Sequence, residues 1–412
     1  GKSHCIKTLL DHLDKYGKTY SLAAPTGRAA KRIQETTGRQ GMTMHRLLGL
    51  IPRKDNEIDS ESNHANPLES DFFIIDEYSM VDAWLNSKLF EKIPPKAHVL
   101  LVGDVDQLPS VGAGNVLRDI IESGLFPVTT LTQIFRQEAT SDIIKNAHKI
   151  NKGQYFRINN DNGMYHFATA ESTVAAQWIA DEVFPRISKR FNIPYEDIQV
   201  LTPMYKGICG VDALNANLKE KFNPSMGQDE IKCGFKSFRV GDRVMQTKND
   251  YNLDVFNGDC GYIISISGKD TTIEYEKNRR VVYNLEALAN VVLAYAMTIH
   301  KSQGCEYPGI IIAMLPEHFI MLQRNLFYTA VTRARTACVL VGDDQSMQKA
   351  ITNNQISKRF TALGWFLTHP APVVSPDMLI EEPEEVEVPE VEADDDDEEE
   401  VNVEELIHQL AF

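Results

Sequence analysis

The sequence lacks long apolar runs. Its longest uninterrupted apolar stretches, such as Val291–Met297, are far shorter than the roughly 20 residues that a membrane-spanning helix needs. A membrane is therefore not an expected partner. An apolar content of 43% is typical of a globular protein, and 412 residues suffice for about two or three domains.

Cysteine is scarce, and its spacing matches no metal site. No two of the six cysteines form a C-x-x-C pair; they are Cys5, Cys209, Cys233, Cys260, Cys305 and Cys338. This pattern argues against a structural metal centre and against a disulfide framework. The thiols are expected to be reduced and mostly buried, as in a cytoplasmic protein.

Basic residues are missing from one part of the chain. Residues 377–412 contain seventeen Asp and Glu but no Lys or Arg, whereas the whole chain has a net charge of −16, so residues 1–376 carry +1. The acidity belongs to a C-terminal tail. A nearly neutral body neither requires nor excludes a nucleic-acid ligand, because strand binding needs local basic contacts and not a uniformly basic surface.

Two adjacent carboxylates follow a short apolar segment. Phe72–Ile75 has four large apolar residues in a row, which predicts a strand buried on both faces of a parallel sheet. The strand ends at Asp76 and Glu77. Ligands of open α/β sheets bind outside the carboxyl ends of the strands, so one carboxylate is placed to hold Mg²⁺ and the next to activate a water. Taken alone, Asp-Glu is also a common surface dipeptide.

The start of the sequence matches part of a phosphate-binding loop. Gly1, Lys2 and Ser3 precede an apolar-periodic helix and correspond to the last third of the pattern G-x-x-x-x-G-K-[ST]. In that loop the Lys reaches the β- and γ-phosphates, and the Ser binds Mg²⁺ at a helix N-terminus. The earlier glycines of the loop are not in the sequence, so we expect a fragment of a longer protein with weak or absent ATP hydrolysis.

Other predicted strands of the first half also end in polar loops. Thr19–Ala24 leads into Pro25–Arg32, a turn and a basic helix start that suit a phosphate backbone, although an ordinary solvated helix would look the same. His98–Val102 is expected to be another buried strand. Gln107, in the loop that follows it, can sense a γ-phosphate by hydrogen bonding.

The second half repeats the pattern of buried strands. Gln199–Thr202, Gly309–Met314 and Ala337–Gly342 are apolar runs between helical stretches, which predicts a second parallel sheet. Between them, Phe238–Ala289 has short Val- and Ile-rich segments separated by turn residues, which favours a small antiparallel barrel. Leu293–Met297 is compatible with a helix.

These motifs occur in a recognisable order. Those of the first half are Gly1-Lys2-Ser3, Ala24–Arg28, Thr43–His45, Asp76–Met80, Gly103–Pro109 and Ile134–Gln137. Those of the second half are Gln199–Pro203, Val255–Asp259, Thr298–Glu306 and Tyr328–Arg335. The series resembles the motifs of superfamily 1 DNA helicases of the RecD-like type, most closely the standalone RecD-like helicases, over about residues 1–345.

The resemblance implies an α/β fold with two RecA-like parallel-sheet motor domains, a small inserted β-barrel and a disordered acidic tail. The first motor domain would comprise residues 1–137, truncated at its N-terminus. The second would comprise residues 138–235 and 291–350, with the barrel at 236–290. Residues 351–412 would form a C-terminal extension that carries the tail and a short terminal helix.

The cofactors implied are ATP and Mg²⁺. The nucleotide would be bound by Gly1, Lys2, Ser3 and Asp76, with Ser3 and Asp76 on the metal. The expected catalytic residues are Glu77 as base, Gln107 as γ-phosphate sensor, and Arg136 and Arg333 as charge-neutralising groups. The residues expected to line the path of a DNA strand are Pro25, Thr26, Arg28, His45, Pro109, Thr298, His300 and Ser302.

The role of Arg333 can be interpreted in two ways. An arginine finger that reaches the γ-phosphate when two domains close is worth roughly 10³–10⁵ in rate. A surface salt bridge, the alternative, is worth at most about 1 kcal/mol. The Tyr328–Arg335 motif favours the finger.

The function implied is ATP-dependent translocation along single-stranded DNA, 5′ to 3′, with unwinding of the duplex ahead, in replication, repair or recombination. The partners would be single-stranded DNA and duplex junctions. Two alternatives stay open: an ATP-switched nucleic-acid clamp or remodelling factor that does not unwind, and a non-enzymatic nucleic-acid-binding protein.

The acidic tail is interpreted from its residues alone. Glu381–Glu400 is acidic, interrupted by Pro and poor in aromatic residues, which predicts disorder. Val403, Leu406, Ile407 and Leu410 then fall on one stripe of a short helix that needs a groove to dock into. The tail would recruit a protein partner or compete with DNA for the strand path; the alternative is a solubilising tail with a chance pattern.

Overall fold

The computed structural model describes residues 2–50, 68–131, 141–250, 252–355, 359 and 361–369. Gly1, Arg136, the acidic tail and its terminal helix were all assigned a role from the sequence. They lie outside the described residues, so those predictions stay predictions.

The helices of the described residues are distributed along the whole chain. The α-helices are α1 (Lys2–Lys15), α2 (Gly27–Thr37), α3 (Met44–Leu47), α4 (Ala83–Lys92), α5 (Val116–Glu122), α6 (Asp142–Asn151), α7 (Ser172–Trp178), α8 (Phe184–Phe191), α9 (Val211–Phe222), α10 (Leu285–Leu288), α11 (Arg324–Thr332), α12 (Asp344–Thr352) and α13 (Leu363–Thr368). A π-helical turn at Ile179–Val183 joins α7 to α8. Single 3₁₀ turns lie at Tyr78–Met80, Tyr195–Asp197, Glu276–Asn278, His300–Ser302 and Pro316–His318.

The strands fall into three larger sheets and one hairpin. They are β1 (Tyr20–Ala24), β2 (Met42–Thr43), β3 (Phe72–Ile75), β4 (His98–Leu101), β5 (Met164–Ala168), β6 (Ile198–Thr202), β7 (Glu230–Cys233), β8 (Lys236–Arg239), β9 (Arg243–Gln246), β10 (Cys260–Ser267), β11 (Asp270–Tyr275), β12 (Arg279–Tyr283), β13 (Val291–Leu293), β14 (Ala296–Thr298), β15 (Tyr307–Met314) and β16 (Ala334–Gly342).

The first half folds around a parallel sheet in the order β2-β1-β3-β4. β3 lies inside this sheet, and its side chains alternate between two layers. Ile74 shares a buried cluster with Ile6 of α1, whereas Phe73 and Ile75 share another with Leu85 of α4. Because both faces of the sheet are covered, each of the four apolar side chains is at least partly buried in one of the two clusters. The predicted doubly buried strand is confirmed.

The last strand of that sheet, β4, is less buried than predicted. His98 and Leu100 are exposed, and Leu100 retains 38% of its accessible surface. Among the described residues β4 pairs only with β3, so it forms an edge of the sheet. The prediction of a strand here is confirmed, and that of full burial is wrong, because apolar composition does not show where in a sheet a strand lies.

The second half contains a fully parallel sheet in the order β14-β6-β15-β16-β5. Its central strand, β15, is buried on both faces. Ile310 and Ile312 pack in a cluster with Phe327 of α11, and Ile311 packs in a second cluster with Leu214 of α9. Helices therefore cover this sheet from both sides, which confirms the predicted second α/β layer structure.

A small antiparallel sheet is inserted between β6 and β14. Its strand order is β12-β11-β10-β9-β13, and the hairpin β7-β8 precedes it. Ile263, Ile273 and Tyr283 are fully or almost fully buried at its centre. Its last strand runs to Leu293, and β14 follows at Ala296, so the expectation of a helix-compatible Leu293–Met297 is wrong. Hydrogen bonds to two different sheets hold this segment extended.

The cysteines are free thiols, three of them buried, and the described helices are short. All six cysteines lie in the described part of the chain and carry free thiols, although Cys5 is exposed. Burial raises the pKa of Cys209 and of Cys338 to about 12. Along the described residues no helix is both long and apolar enough to cross a membrane.

Candidate nucleotide and nucleic-acid site

The start of α1 carries a buried ammonium group. The Nζ atom of Lys2 is buried and has no hydrogen-bond partner among the residues that the structure describes. Burying such a group without a partner is costly, so this atom is suited to receive an anion. The first turn of α1 contains no acidic residue, and its free N–H groups also favour negative charge. Ser3 is half-buried in the same turn.

Asp76 follows β3 at the carboxyl end of the strand. Its Oδ1 accepts a hydrogen bond from the backbone N–H of Glu77 at 2.8 Å. Burial raises the pKa of Asp76, and the neighbouring charge of Glu77 raises it further, whereas the charge of Lys2 lowers it. Lys2 and Asp76 are therefore close enough to interact. The structure brings together two residues that the sequence assigns to phosphate and metal binding.

Glu77 has a strained backbone. Its φ of 53° lies in the left-handed region, which costs a residue with a side chain about 1–2 kcal/mol. The N–H of the next residue, Tyr78, donates to the carbonyl of Val102 at 2.8 Å, so the turn is anchored to the strand that follows. The Glu77 side chain is only 7% exposed. Strain of this kind concentrates at functional sites, and no pattern in the sequence predicts it.

Gln107 and Arg333 meet across the two halves of the chain. Nη2 of Arg333 donates to Oε1 of Gln107 at 2.8 Å. Nε2 of Gln107 donates to Oδ2 of Asp104 at 3.0 Å, and because a carboxylate only accepts, this bond fixes the orientation of the amide. The other guanidinium nitrogens of Arg333 donate to the carbonyls of Thr329 and Cys305. Arg333 is 3% exposed and is therefore not a surface ion-pair residue.

Three further hydrogen bonds join this loop to the second half. The N–H of Leu108 donates to Oγ1 of Thr329, and Nε2 of Gln303 donates to the carbonyl of Leu108, both at 2.9 Å. The Tyr328 hydroxyl donates to Oδ2 of Asp104 at 3.2 Å. Sequence analysis identified the motifs that contain these residues but not their partners. The pairing depends on how two sheets face each other, which no local pattern reveals.

The start of α2 contacts the second half rather than solvent. Thr26 caps the helix, because its Oγ1 accepts a hydrogen bond from the N–H of Ala29 at 3.3 Å. Nη1 of Arg28 donates to the Tyr307 hydroxyl at 3.2 Å, and the guanidinium lies 5.9 Å from the centre of that ring. Pro25 is half-buried. Arg28 therefore has a protein partner that a phosphate would have to replace.

The same helix is tied to the Thr298–Glu306 motif by an ion pair. Arg32 contacts the carboxylate of Glu306, which also accepts from Nε of Arg335 at 3.0 Å. Nη1 of Arg32 donates to the carbonyl of Gly304 at 3.4 Å. No local pattern in the sequence predicts this cluster, although Arg32 and Glu306 both lie at the ends of sequence motifs.

The Thr298–Glu306 motif is more buried than a strand-lining segment should be. Thr298 is 4% exposed, and its Oγ1 accepts from the N–H of Lys301 at 3.2 Å. Ser302 is fully buried, and its hydroxyl donates to the carbonyl of Ile299 at 2.7 Å. Ser302 therefore closes a local turn, and the structure does not support the prediction that it lines the strand path.

The two histidines of the predicted strand path are half-buried. Burial lowers the pKa of His300, and it also lowers that of His45, where the charge of Asp82 acts in the opposite direction. Both rings are therefore favoured in their neutral form near pH 7. Pro109 is half-buried directly after Leu108. Contacts from these residues to a strand would be polar or apolar rather than ionic.

Comparison with known proteins assigns the chain to a family. Residues 1–113 match an AAA domain, 214–281 the SH3 domain of ATP-dependent RecD-like DNA helicases, and 293–341 the C-terminal domain of UvrD-like helicases. A relative, the ATP-dependent RecD2 DNA helicase of Deinococcus radiodurans, is 39% identical over 364 residues, which cover 88% of this chain and 48% of the relative. The chain belongs to the RecD-like superfamily 1 helicases.

Other relatives agree with that assignment. The RecD-like chain is 29% identical to the RecBCD enzyme subunit RecD of Mycolicibacterium smegmatis over 82% of its own length and 64% of the relative's. It thus spans between about half and two thirds of these two relatives.

Solved structures support the fold. A Bacteroides Pif1 helicase in complex with ADP-AlF3 and ssDNA is 22% identical, with a TM-score of 0.51 over 87% of the RecD-like chain and 89% of that protein. Two coordinating Pif1 helicases at forked dsDNA give 21% identity and a TM-score of 0.53, covering 85% of the RecD-like chain and 88% of that protein. This likeness confirms the predicted fold class, with two RecA-like parallel-sheet domains and a small inserted β domain.

Proposed function

We propose that the protein is an ATP-dependent DNA helicase that translocates along single-stranded DNA in the 5′ to 3′ direction and unwinds the duplex ahead. The observation that carries this proposal is the buried contact between Gln107 and Arg333. It joins the loop that follows β4, next to the strand that ends at Asp76 and Glu77, to the second parallel sheet. A change at the phosphate site can therefore be transmitted to the other half of the motor.

The nucleotide would be held at the start of α1. Lys2 would bind phosphate oxygens, while Ser3 and Asp76 would hold Mg²⁺, which would supply positive charge against the negative charge that develops during hydrolysis. The buried Nζ of Lys2 and its interaction with Asp76 support this fit. No group of three or more His, Cys, Asp or Glu in the described ranges could hold a metal by itself. The ion would therefore depend on phosphate and water oxygens for most of its ligands.

Hydrolysis would depend on Glu77 and on the contact between the halves. Glu77 would take a proton from the attacking water. Nη2 of Arg333 would exchange Oε1 of Gln107 for a γ-phosphate oxygen, with Arg136 as a second neutralising arginine. Since Arg333 belongs to the second half, hydrolysis would require that half to be in place, and each turnover would move it relative to the first.

The DNA strand would pass over the start of α2 and the segments near Pro109 and His300. Arg28 and Thr26 would contact its backbone, with His45 and Pro109 along the same path. Duplex junctions in replication, repair or recombination are the proposed biological substrates. Its relatives and structural neighbours, an ATP-dependent DNA helicase and Pif1 helicases with ssDNA or at forked dsDNA, support this choice of ligand.

A strand-separation assay tests the proposal. Duplexes with a 5′ or a 3′ single-stranded overhang are incubated with ATP, Mg²⁺ and a chain in which the earlier part of the phosphate-binding loop has been restored, and the released strand is measured against a Glu77→Gln control. We expect release from the 5′-overhang substrate alone. ATP hydrolysis and DNA binding without release from either substrate would instead identify a clamp, and binding without hydrolysis would identify a non-enzymatic binding protein.

A further inference from the structure

The end of the described chain crosses back to the first half. We call Arg359 and residues 361–369 the strap. Leu363 packs against the buried cluster of the first sheet, and Oγ1 of Thr361 donates to Oδ2 of Asp119 on α5 at 2.8 Å. The strap follows the second parallel sheet in sequence but packs on the first half. Its residues lie outside the helicase motifs, so these contacts are additional to those that the motifs make.

Within the strap, Arg359 holds the backbone of loop 109–114. Its Nη1 donates to the carbonyls of Gly112 and Gly114, each at 3.0 Å, and its Nη2 donates to the carbonyl of Ser110 at 2.7 Å. One planar, charged group thus binds three carbonyls in a fixed arrangement. Such a fork specifies geometry as well as strength, and lysine cannot reproduce it.

The opposite side of loop 109–114 is held by α4. A Cβ atom at Gly112 would lie 2.1 Å from Oδ2 of Asp82, whose Oδ1 caps α4 by accepting from the N–H of Leu85 at 2.8 Å. The N–H of Ala83 donates to the carbonyl of Ala113 at 2.9 Å. The loop therefore has an anchor on each side.

Between these anchors, Val111 projects into solvent. It is 93% exposed and is preceded by Pro109 and Ser110. A single exposed valine is ordinary on a protein surface. What distinguishes Val111 is that Arg359 binds the backbone on both sides of it, at the carbonyls of Ser110 and Gly112. Val111 is thereby presented in one position.

The neighbouring residue Leu108 has separate anchors. Its N–H and carbonyl are bound by Thr329 and Gln303, whereas the hydrogen bonds of Arg359 to described residues go to Ser110, Gly112 and Gly114. Gln107, on the nucleotide side, is thus positioned without the strap. A loss of Arg359 should therefore disturb loop 109–114 and leave the Gln107–Arg333 contact in place.

We propose that Arg359 is a positioning residue for single-stranded DNA: it fixes loop 109–114 so that Pro109 and Val111 present an apolar surface to a base of the bound strand. Every base has an apolar face, so a contact of this kind is independent of sequence. The inference rests on the proposed function and adds a strand contact that depends on the strap.

Binding of a fluorescent oligothymidylate to the purified protein tests the proposal. Arg359→Ala and Arg359→Lys should both raise the Kd about tenfold, because a charged hydrogen-bond fork is lost in each. Thr361→Ala, which removes a strap contact without touching the loop, is the matched control and should stay within about twofold. Val111→Ser, which leaves every anchor in place, should also weaken binding, and adding Arg359→Ala to it should weaken binding little further.

Salt dependence separates positioning from direct charge contact. If Arg359 touched a phosphate, Arg359→Ala would lower the slope of log K against log salt by about 0.7, and Arg359→Lys would retain binding. Either result overturns the proposal, as would equal Kd values for wild type and both variants or an equal loss in Thr361→Ala. If the wild-type protein binds no DNA, the proposed function fails instead.

Discussion

The guanidinium of Arg333 is oriented by its own half of the molecule. Nε and Nη1 donate to the carbonyls of Thr329 and Cys305, and Nη2 crosses to Gln107. Nη2 can therefore exchange an amide oxygen for a phosphate oxygen while the rest of the group stays fixed. We expect Arg333→Ala to abolish this exchange and to lower DNA-stimulated ATP hydrolysis more than hydrolysis without DNA.

The expected loss of turnover follows from the two interactions that Nη2 of Arg333 exchanges, one with Gln107 and one with the phosphate. Giving up the charge-assisted hydrogen bond to Gln107 costs about 1.5–3 kcal/mol. An arginine on a transferring phosphoryl group contributes roughly 10³–10⁵ in rate, or about 4–7 kcal/mol. The balance favours the phosphate, so Arg333→Ala should reduce DNA-stimulated turnover by about 10³-fold or more. Arg333→Lys should be nearly as impaired, because an ammonium group cannot bond both carbonyls and the phosphate in one plane.

The measurement is the steady-state rate of ATP hydrolysis by each variant with saturating single-stranded DNA. The wild-type form of the protein used must itself hydrolyse ATP. Arg335→Ala is the matched control: Arg335 is exposed and pairs with Glu306 at 3.0 Å, so its loss should cost less than about 1 kcal/mol. Thermal unfolding would confirm that each variant is folded. The reasoning is refuted if Arg333→Ala keeps more than about a tenth of wild-type turnover, or if Arg335→Ala loses as much.

Other predictions concern the carboxylates and the tail. Glu77→Gln should keep ATP and DNA binding but retain less than about a tenth of turnover, because the amide cannot take a proton; higher residual hydrolysis would disqualify Glu77 as the base. Because the folded-state pKa of Asp76 is raised above its unfolded value, its charge destabilises the fold at neutral pH. Asp76→Asn should therefore raise Tm at about pH 8, and the gain should shrink as the pH falls through that raised pKa toward about 4; a lower Tm at pH 8 would contradict this. Deleting residues 377–412 should tighten single-stranded DNA binding, most at low salt, and equal affinities at low ionic strength would leave only the partner-docking role of the tail.

The parts of the fold that could be predicted are those whose burial leaves a local signature. Phe72–Ile75 and Gly309–Met314 are surrounded on both faces, so nearly every residue is apolar and the run itself indicates a central strand. β4 has a similar composition, but its position depends on what lies beside it. Likewise, Leu293–Met297 is extended because of partners more than forty residues away in sequence.

For the site, residue types could be predicted and contacts could not. Asp76, Glu77 and Gln107 are candidates because polar groups at strand ends are chemically distinctive, and their roles stay predictions. That Gln107 bonds to Arg333, and that Glu77 has a left-handed backbone, depends on the relative placement of two sheets and on one anchored turn. Ser302 lies in a polar motif that favours a ligand-facing hydroxyl, but its side chain is buried and donates to the carbonyl of Ile299.

The open side of β4 leaves room for a further strand in the first parallel sheet. One row of its backbone N–H and C=O groups has no strand partner within the described residues, and Leu100 is exposed on the same strand. Such a row can be extended by a strand from another molecule. This edge can therefore accept one further strand, and Leu100→Lys should hinder that pairing by placing a charge where the strand would approach.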